Sequence, residues 1–329
     1  MEERIKRDNF EKWVEVSKIL SKYSFSNVAF VLFSKNTLCG LVFSGESGFA
    51  LVGIDEGFSY QVDFNDLLIL NNFIDILSAR KVVKDNFIEF SQGNRNAVLN
   101  FYDKSEISFP AFESDNVVIN LDAGDVVYVG RDFDYLFMNN YLYFGKLGSF
   151  GRKKLNKPTG VSKKLSNVSI EVLEKFNSFL FSKDGDSIFI NDDMLEVKIF
   201  SSVWDADNVL DERMNKEIDK IKSSNSVHLT GYSLAQFINV LKEYNKLCVD
   251  VVDINSDGNS LKLTGSRGIG MSISLDLKVK NFSGSIDGAS LDVISKLEGL
   301  FKDVYVDDVM MLFEGDSCQF ILSLREQGV

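Results

Sequence analysis

The stretch VHLTGYSLAQFINVLKEYNKLCVDVVDINSDGNSLKLTG, residues 227–265, decides how this chain is read. Its second half, DINSDGNSLKLTG, places Asp253, Asn255 and Asp257 two apart and follows them with Gly258, the opening of an EF-hand calcium loop. Such a loop needs a bidentate Glu at its twelfth position and a helix on either side. The twelfth residue here is Thr264, and the flanks LCVDVVDI and SLKLTG alternate in the manner of strands. Two runs of β-branched and apolar residues around Ser-Asp-Gly-Asn predict a β-hairpin. Upstream, Leu234, Phe237, Ile238 and Leu241 recur at helical spacing with Lys242, Glu243 and Lys246 on the opposite side, and SVHLTG before them reads as a short strand. The order is strand, helix, hairpin.

That order recurs. FSGSID leads into ASLDVISKLEGLF, whose Leu291, Ile294, Leu297 and Phe301 form one helical face, then into VYVDDVMMLFE, a GDS turn and CQFILSL. The N-terminal third repeats it twice. FEKWVEVSKILSKY, with Trp13, Val16, Leu20 and Tyr23 on one face, precedes VAFVLF-SKNT-LCGLVFS; YQVDF precedes NDLLILNNFIDIL and NFIEFS-QGNRN-AVLNFYD. A fifth copy takes SIEVLEKFNSFLF as its helix and SIFIN-DD-MLEVKIFS as its hairpin. Residues 117–146 hold strands, notably DYLFM-NN-YLYFG, but no helix, so a sixth copy there would be degenerate. Repeats of roughly 45–55 residues mean one architecture used several times. A unit of one helix and about four strands cannot cover its own apolar face. Joined edge to edge, such units give an α+β fold of continuous antiparallel sheets with helices gathered on one side. Their outer edges must pair between units or between chains.

The totals bound the rest. At 329 residues the chain holds two or three domains. No run approaches 18 apolar residues and MEERIKRDNF has no apolar run after its charges, so neither a membrane span nor a secretory signal is expected. Cys39, Cys248 and Cys318 sit in apolar strand-like runs, which predicts buried thiols in a reducing compartment. The one histidine, His228, lies in VHLTG and is expected to be a strand residue. The net charge is −12, yet residues 146–164, KLGSFGRKKLNKPTGVSKK, carry seven bases and no acid; without those seven charges the remainder stands at −19. An acidic body with one basic segment suggests a local anion-binding surface.

The succession of units resembles the DNA sliding clamps: the bacterial β clamp, proliferating cell nuclear antigen and their phage relatives. Residues 225–325 carry the resemblance best, 10–110 next, and the middle least. It implies three domains, at 1–114, 115–224 and 225–329, and helices lining a hole through which duplex DNA passes. It also implies a non-enzymatic processivity factor, of viral or phage origin and acting in the host cytoplasm, that tethers a DNA polymerase and is served by a clamp loader. Assembly as a dimer or trimer ring, or as a monomer, is open. A clamp meets phosphates without reading bases, and the bases for that contact are expected to be Arg152, Lys153, Lys154, Lys157, Lys163 and Lys164, with Lys18, Lys22, Lys242 and Lys246 second. In clamps a partner peptide docks in a hydrophobic pocket under an interdomain connector; the apolar run Phe320 to Leu324 is a candidate wall for it. DADNVLDERMNKEIDKIKSSN, residues 205–225, reads as an extra charged helix outside the clamp pattern.

Other chemistry is set aside. GSRGIG at 265–270 fits no phosphate-binding glycine pattern and precedes a strand, so it is a turn. Asp184 with Asp186, Asp192 with Asp193, and Asp307 with Asp308 lack a third carboxylate or a base at useful spacing; turn chemistry accounts for them, and neither cofactor nor metal is expected. Two readings remain beside the clamp: a viral assembly protein whose sheet edges join subunits, and a clamp-like accessory factor for RNA polymerase.

Overall fold

The computed structural model describes residues 5–22, 24–53, 58–105, 117–159, 162–176, 178–182, 187–192, 194–200, 202–203, 209–224, 226–258, 260–265, 274–276 and 281–325. The chain packs as two compact units, one of residues 1–126 and 168–202, the other of residues 127–167 and 203–329.

The first unit begins with α1 (Arg7–Ser21), β1 (Val28–Ser34), β2 (Thr37–Gly45), β3 (Gly48–Val52), β4 (Phe58–Asp63) and α2 (Phe64–Phe73). Then come β5 (Arg80–Val83), β6 (Phe87–Gln92), β7 (Arg95–Asn100), β8 (Asp103–Ser105) and β9 (Val117–Asp122). The chain crosses to the second unit for β10 (Asp134–Met138), β11 (Tyr141–Lys146), β12 (Ser149–Lys154) and β13 (Lys163–Leu165). It returns through α3 (Asn167–Leu173) for β14 (Ser178–Ser182), β15 (Ser187–Asp192) and β16 (Leu195–Phe200). After the short β17 (Ser202–Val203), the second unit is completed by α4 (Val209–Ser223), β18 (Val227–Thr230), α5 (Gly231–Lys246), β19 (Val251–Ser256), β20 (Ser260–Gly265) and β21 (Ser274–Asp276). Last come β22 (Phe282–Asp287), α6 (Gly288–Leu297), β23 (Asp303–Val306), β24 (Met310–Glu314) and β25 (Cys318–Ser323).

Among the described residues, six antiparallel three-strand meanders emerge: β1–β3, β5–β7, β10–β12, β14–β16, β19–β21 and β23–β25. A helix precedes five of them. Before β10 a single 3-10 turn, Ala123–Asp125, stands in the helix's place. The sixth copy therefore exists at residues 117–154, and the missing helix is why its periodicity was weak in the sequence. Two nine-stranded sheets result, in the orders β8-β4-β1-β2-β3-β16-β15-β14-β9 and β17-β13-β10-β11-β12-β25-β24-β23-β18, besides the four-stranded β21-β20-β19-β22 and the three-stranded β5-β6-β7.

The hairpin expected around Ser-Asp-Gly-Asn is β19 and β20, with Ser256 opposite Leu261. Its Asp257 is spent on the turn, where the carboxylate accepts from the Ser260 N–H at 2.8 Å and hydroxyl at 3.1 Å, and Gly258 takes φ +88°. Two hairpins turn on non-glycine residues in the left-handed region, Lys35 and Asn36 between β1 and β2 and Asn139 between β10 and β11, a conformation asparagine tolerates better than most residues.

Two expectations are corrected. The helix expected over SIEVLEKFNSFLF stops at Leu173, and the last four residues of that stretch belong to strand β14, paired with β9. Aromatic residues favour a strand once a partner edge is available. Cys248 is not a buried strand residue: it is exposed in the turn after α5, at φ +51°. Cys318 is buried on β25, and burial pushes its thiol up to about 12, while Cys39 on β2 is half-buried. His228 lies in β18 as expected, its Nε2 2.8 Å from Asp303 and its ring stacked on Tyr305. Among the described residues, no helix is long and apolar enough to cross a membrane. Residues 266–270 of the glycine turn, together with Asp184, Asp186 and Asp193, lie outside the described residues.

Candidate nucleic-acid interface

Strand alternation sorts the basic segment between the two faces of the second unit's sheet. Phe313 and Phe320 mark one face: α5 reaches it through Phe237, 6.5 Å from Phe313 between ring centroids. Ser149 of β12 meets Ser290 of α6 there at 2.9 Å. Phe150, Arg152 and Lys154 point the other way, where α4 packs. On that side Met214, Ile218 and Ile221 of α4 form a cluster with Leu312 and Ile321, and Phe150, Tyr305 and Met310 pack against it.

Arg152 is buried at 6% exposure. Its Nη1 donates to Asp211 at 2.9 Å, its Nη2 to Asn215 at 2.7 Å and its Nε to Gln319 at 2.8 Å, and the guanidinium lies 4.6 Å from the Tyr141 ring centroid. The Tyr143 hydroxyl donates to the same Asp211 carboxylate. Burial, then that carboxylate, pushes the Tyr143 phenol well above its ordinary value. Lys163 is buried to 0% exposure in β13. Both of these expected contacts are thus buried, and with α4 in place neither presents its charge at the surface. Composition showed the charge of the segment, but only strand register shows that Arg152 points under a helix. Asp211, Tyr143, Asn215 and Gln319 were all missed; the acidic start of the extra helix was the one signal for them.

The other expected contacts divide as follows. Lys153 is half-buried on the face that α5 and α6 share. Lys154 and Lys157 are exposed and have no ion pair among the described residues, and Lys154 stands on the α4 face. Lys164 pairs with Asp134 at 3.5 Å. On the helices, Lys18 is exposed and without an ion pair among the described residues, Lys22 pairs with Glu171, Lys242 with Glu298 at 2.7 Å and Lys246 with Glu243 at 2.6 Å. The helix faces thus carry bases largely balanced by acids.

Lys146, which opens the basic window, supports α6. Asp287 caps that helix by accepting from the Ser290 N–H at 2.7 Å, and it meets Lys146 at 3.1 Å and Arg325 at 3.2 Å. Burial alone would raise the Asp287 carboxyl, but the Ser290 bonds and Lys146 outweigh it and hold the group below its ordinary value. A carboxylate depressed by folding contributes stability above its unfolded pKa and loses it as pH falls through the folded value. Asp287→Asn is therefore expected to destabilise the chain by about 1 kcal/mol at pH 7. Denaturation midpoints of the variant and the parent should converge below about pH 4.

Two cavities flank the start of α4. One, of about 380 Å³, is lined by Leu136, Tyr143, Leu147, Phe150, Lys164 and Leu210 among others. The second, of about 330 Å³, adds Arg213, Met214, Met310, Ile321 and Ser323. The candidate apolar wall at residues 320–324 thus contributes to one of them. Leu147, at the tip of the β11–β12 hairpin, is fully exposed beside the first.

No family model matches the sequence, and no curated protein matches it. Solved structures do. The DNA polymerase III β chain of Streptococcus pneumoniae superposes with a TM-score of 0.70 at 8% identity, covering 98% of this chain and 99% of its own. The sliding clamp of Bacillus subtilis gives 0.68 at 12%, with 98% of each chain covered. The Helicobacter pylori β clamp, solved with a DNA ligase peptide, gives 0.65 at 13%, covering 99% and 100%. The chain has the sliding-clamp fold. It spans nearly the whole length of those clamps. At such identities the likeness is one of architecture, and the residues of the candidate interface rest on the geometry above.

Proposed function

We propose that the chain is a non-enzymatic DNA sliding clamp that holds a polymerase on duplex DNA. The observation that carries this reading is the pairing rule of its meanders, taken with the likeness to β clamps along the whole chain. The third strand of the first meander, β3, pairs with the third strand of the fourth, β16. The third strand of the third, β12, pairs with that of the sixth, β25. By the same rule β21 of the fifth calls for β7 of the second. Among the described residues each of these ends its sheet. An open edge of this kind is a template for another chain, and β7 of one copy against β21 of another gives a head-to-tail assembly. A dimer so closed has twelve repeats.

Strand exchange supports the three-domain division at 1–114, 115–224 and 225–329. β4 pairs with β1, β9 with β14, β13 with β10, β18 with β23, and β22 with β19, so the repeats join as first with second, third with fourth, and fifth with sixth.

Duplex DNA is assigned to the helix-bearing face of each unit, through Lys18 and Lys22 in the first and Lys242, Lys246 and Lys153 in the second. Exposed ion pairs contribute only about 0–1 kcal/mol, so Lys22, Lys242 and Lys246 exchange carboxylates for phosphates at small cost. Lys154, Lys157 and Lys164 are left out of this set. A partner segment, such as one borne by a polymerase, is assigned to the cavities beside α4. Tethering there makes polymerase rebinding intramolecular, at high effective concentration. A clamp loader and a cytoplasmic setting follow from the same reading.

The test is retention on DNA. Light scattering should give the mass of a dimer, and protein loaded on nicked circles should survive a salt wash that strips it from linear fragments of the same length. Replacing Lys18, Lys22, Lys242 and Lys246 by Ala should reduce the dependence of log affinity on log salt by up to about 0.9 for each phosphate left without its lysine. A monomer that leaves circles and linear fragments at equal rates would remove the clamp reading.

A further inference from the structure

We infer that α4 occupies, in cis, a docking face for a helical segment of a partner protein, and that the sequence of α4 states what that segment looks like. The face runs across β11, β12, β25, β24 and β23 in two cross-strand rows. One row is polar: Tyr143, Arg152, Gln319 and Glu314 stand opposite one another in register. The other is apolar: Phe150, Ile321, Leu312 and Tyr305. The helix lies over both. Asp211 and Asn215 meet Arg152 at its start, Lys222 meets Glu314 at 2.6 Å near its end, and Met214, Ile218 and Ile221 cover the apolar row. The acid at the helix start and the base at its end also suit the helix dipole.

Two observations mark α4 as a cover that can leave. It buries little apolar surface: three of its fifteen residues are buried, against six on the sixteen-residue α5. Elements with few buried apolar contacts open at the low end of a protein's range of local stabilities. It stands outside the repeat, since each of the other helices precedes a meander and α4 precedes β18.

What α4 would uncover is a guanidinium beside an apolar strip. Arg152 would keep its bond to Gln319 and its place over the Tyr141 ring, and the donors freed from Asp211 and Asn215, set in a planar fork, suit a carboxylate. The matching partner is an amphipathic helix with an acidic residue in its first turn and apolar residues three, seven and ten positions later, the spacing of Asp211, Met214, Ile218 and Ile221. This inference does not rest on DNA tracking, and its test uses no DNA.

Hydrogen exchange on the full chain comes first. Amides of α4 should exchange at least about a hundredfold faster than those at the centre of α5, the mark of opening below the global level. The double variant Asp211→Asn, Ile218→Asp should speed α4 further while leaving α5 unchanged. A fluorescent peptide of residues 209–223 should bind that variant at least about tenfold more tightly than the parent, and the same peptide carrying Asp211→Lys should not bind. Should the double variant fail to fold, the exchange rates of the parent decide alone. Exchange of α4 at the rate of α5 would overturn the inference. So would a folded variant, with α4 released, that ignores the peptide.

Discussion

Replacing Trp13 by Ala is expected to lower stability by about 3–5 kcal/mol, the largest effect of any single side chain in the first unit. Trp13 is fully buried. Its indole N–H donates to the Ala50 carbonyl at 3.0 Å, its ring packs edge-on to Phe64 at 5.8 Å, and it stacks with Phe10 at 6.0 Å. One side chain thus ties α1 to β3 and to the start of α2. β3 is also the strand through which the first meander meets the fourth, so the cavity opens beneath the join of two repeats. Trp13→Phe separates packing from the hydrogen bond: it keeps most of the ring and forfeits a bond whose net contribution is about 0.5–1.5 kcal/mol. The midpoint of urea unfolding should move far for Ala and modestly for Phe, at an unchanged slope. Equal shifts for the two would mean that the indole bond, and not the ring, holds α1 to the sheet.

The helix that carries Trp13 was legible because its apolar residues keep a 3.6-residue period over three turns. The same holds for α5 and α6, and strand alternation made the hairpins legible beside them. Legibility failed where local pattern and tertiary pairing disagree. The segment of α3 and β14 keeps a helical rhythm through Phe176, and the chain leaves the helix because β9 offers an edge to the residues that follow. In the third repeat one 3-10 turn at Ala123–Asp125 does the work of a helix, and no periodicity of helical length marks it. The charged helix α4 could be read as a helix, yet nothing local says that it covers a sheet face. That depends on Leu312 and Ile321, about a hundred residues downstream. The open edges of β7 and β21 are likewise a property of the completed pairing, and become visible only once the other meanders have found their partners.

Arg152 shows the same gap between charge counted and charge placed, and its substitution carries the second large effect. Arg152→Ala leaves the Asp211 carboxylate against the buried Tyr143 hydroxyl and strands Asn215 and Gln319 without their shared donor. Breaking a buried ion pair by removing one partner costs about 3–5 kcal/mol. The Asp211 side chain keeps 26% exposure, so water recovers part of that, and the expected loss is about 2–4 kcal/mol. Arg152→Lys restores the charge and not the fork. An ammonium on a flexible stem cannot hold Asp211, Asn215 and Gln319 in one plane, so Lys should recover less than half of the loss. Neither variant should alter the salt dependence of DNA binding, because the guanidinium lies under α4 on the face opposite α5 and α6. The lysine substitutions on α1 and α5 should alter that slope and leave stability within about 0.5 kcal/mol of the parent. The two sets of variants therefore separate bases that hold the fold from bases proposed to meet phosphate. A fall in salt slope for a folded Arg152→Ala chain would require Arg152 to reach DNA, which it does only when α4 has left the sheet. DNA would then compete with α4 for that face, and the docking face and the phosphate surface would be one.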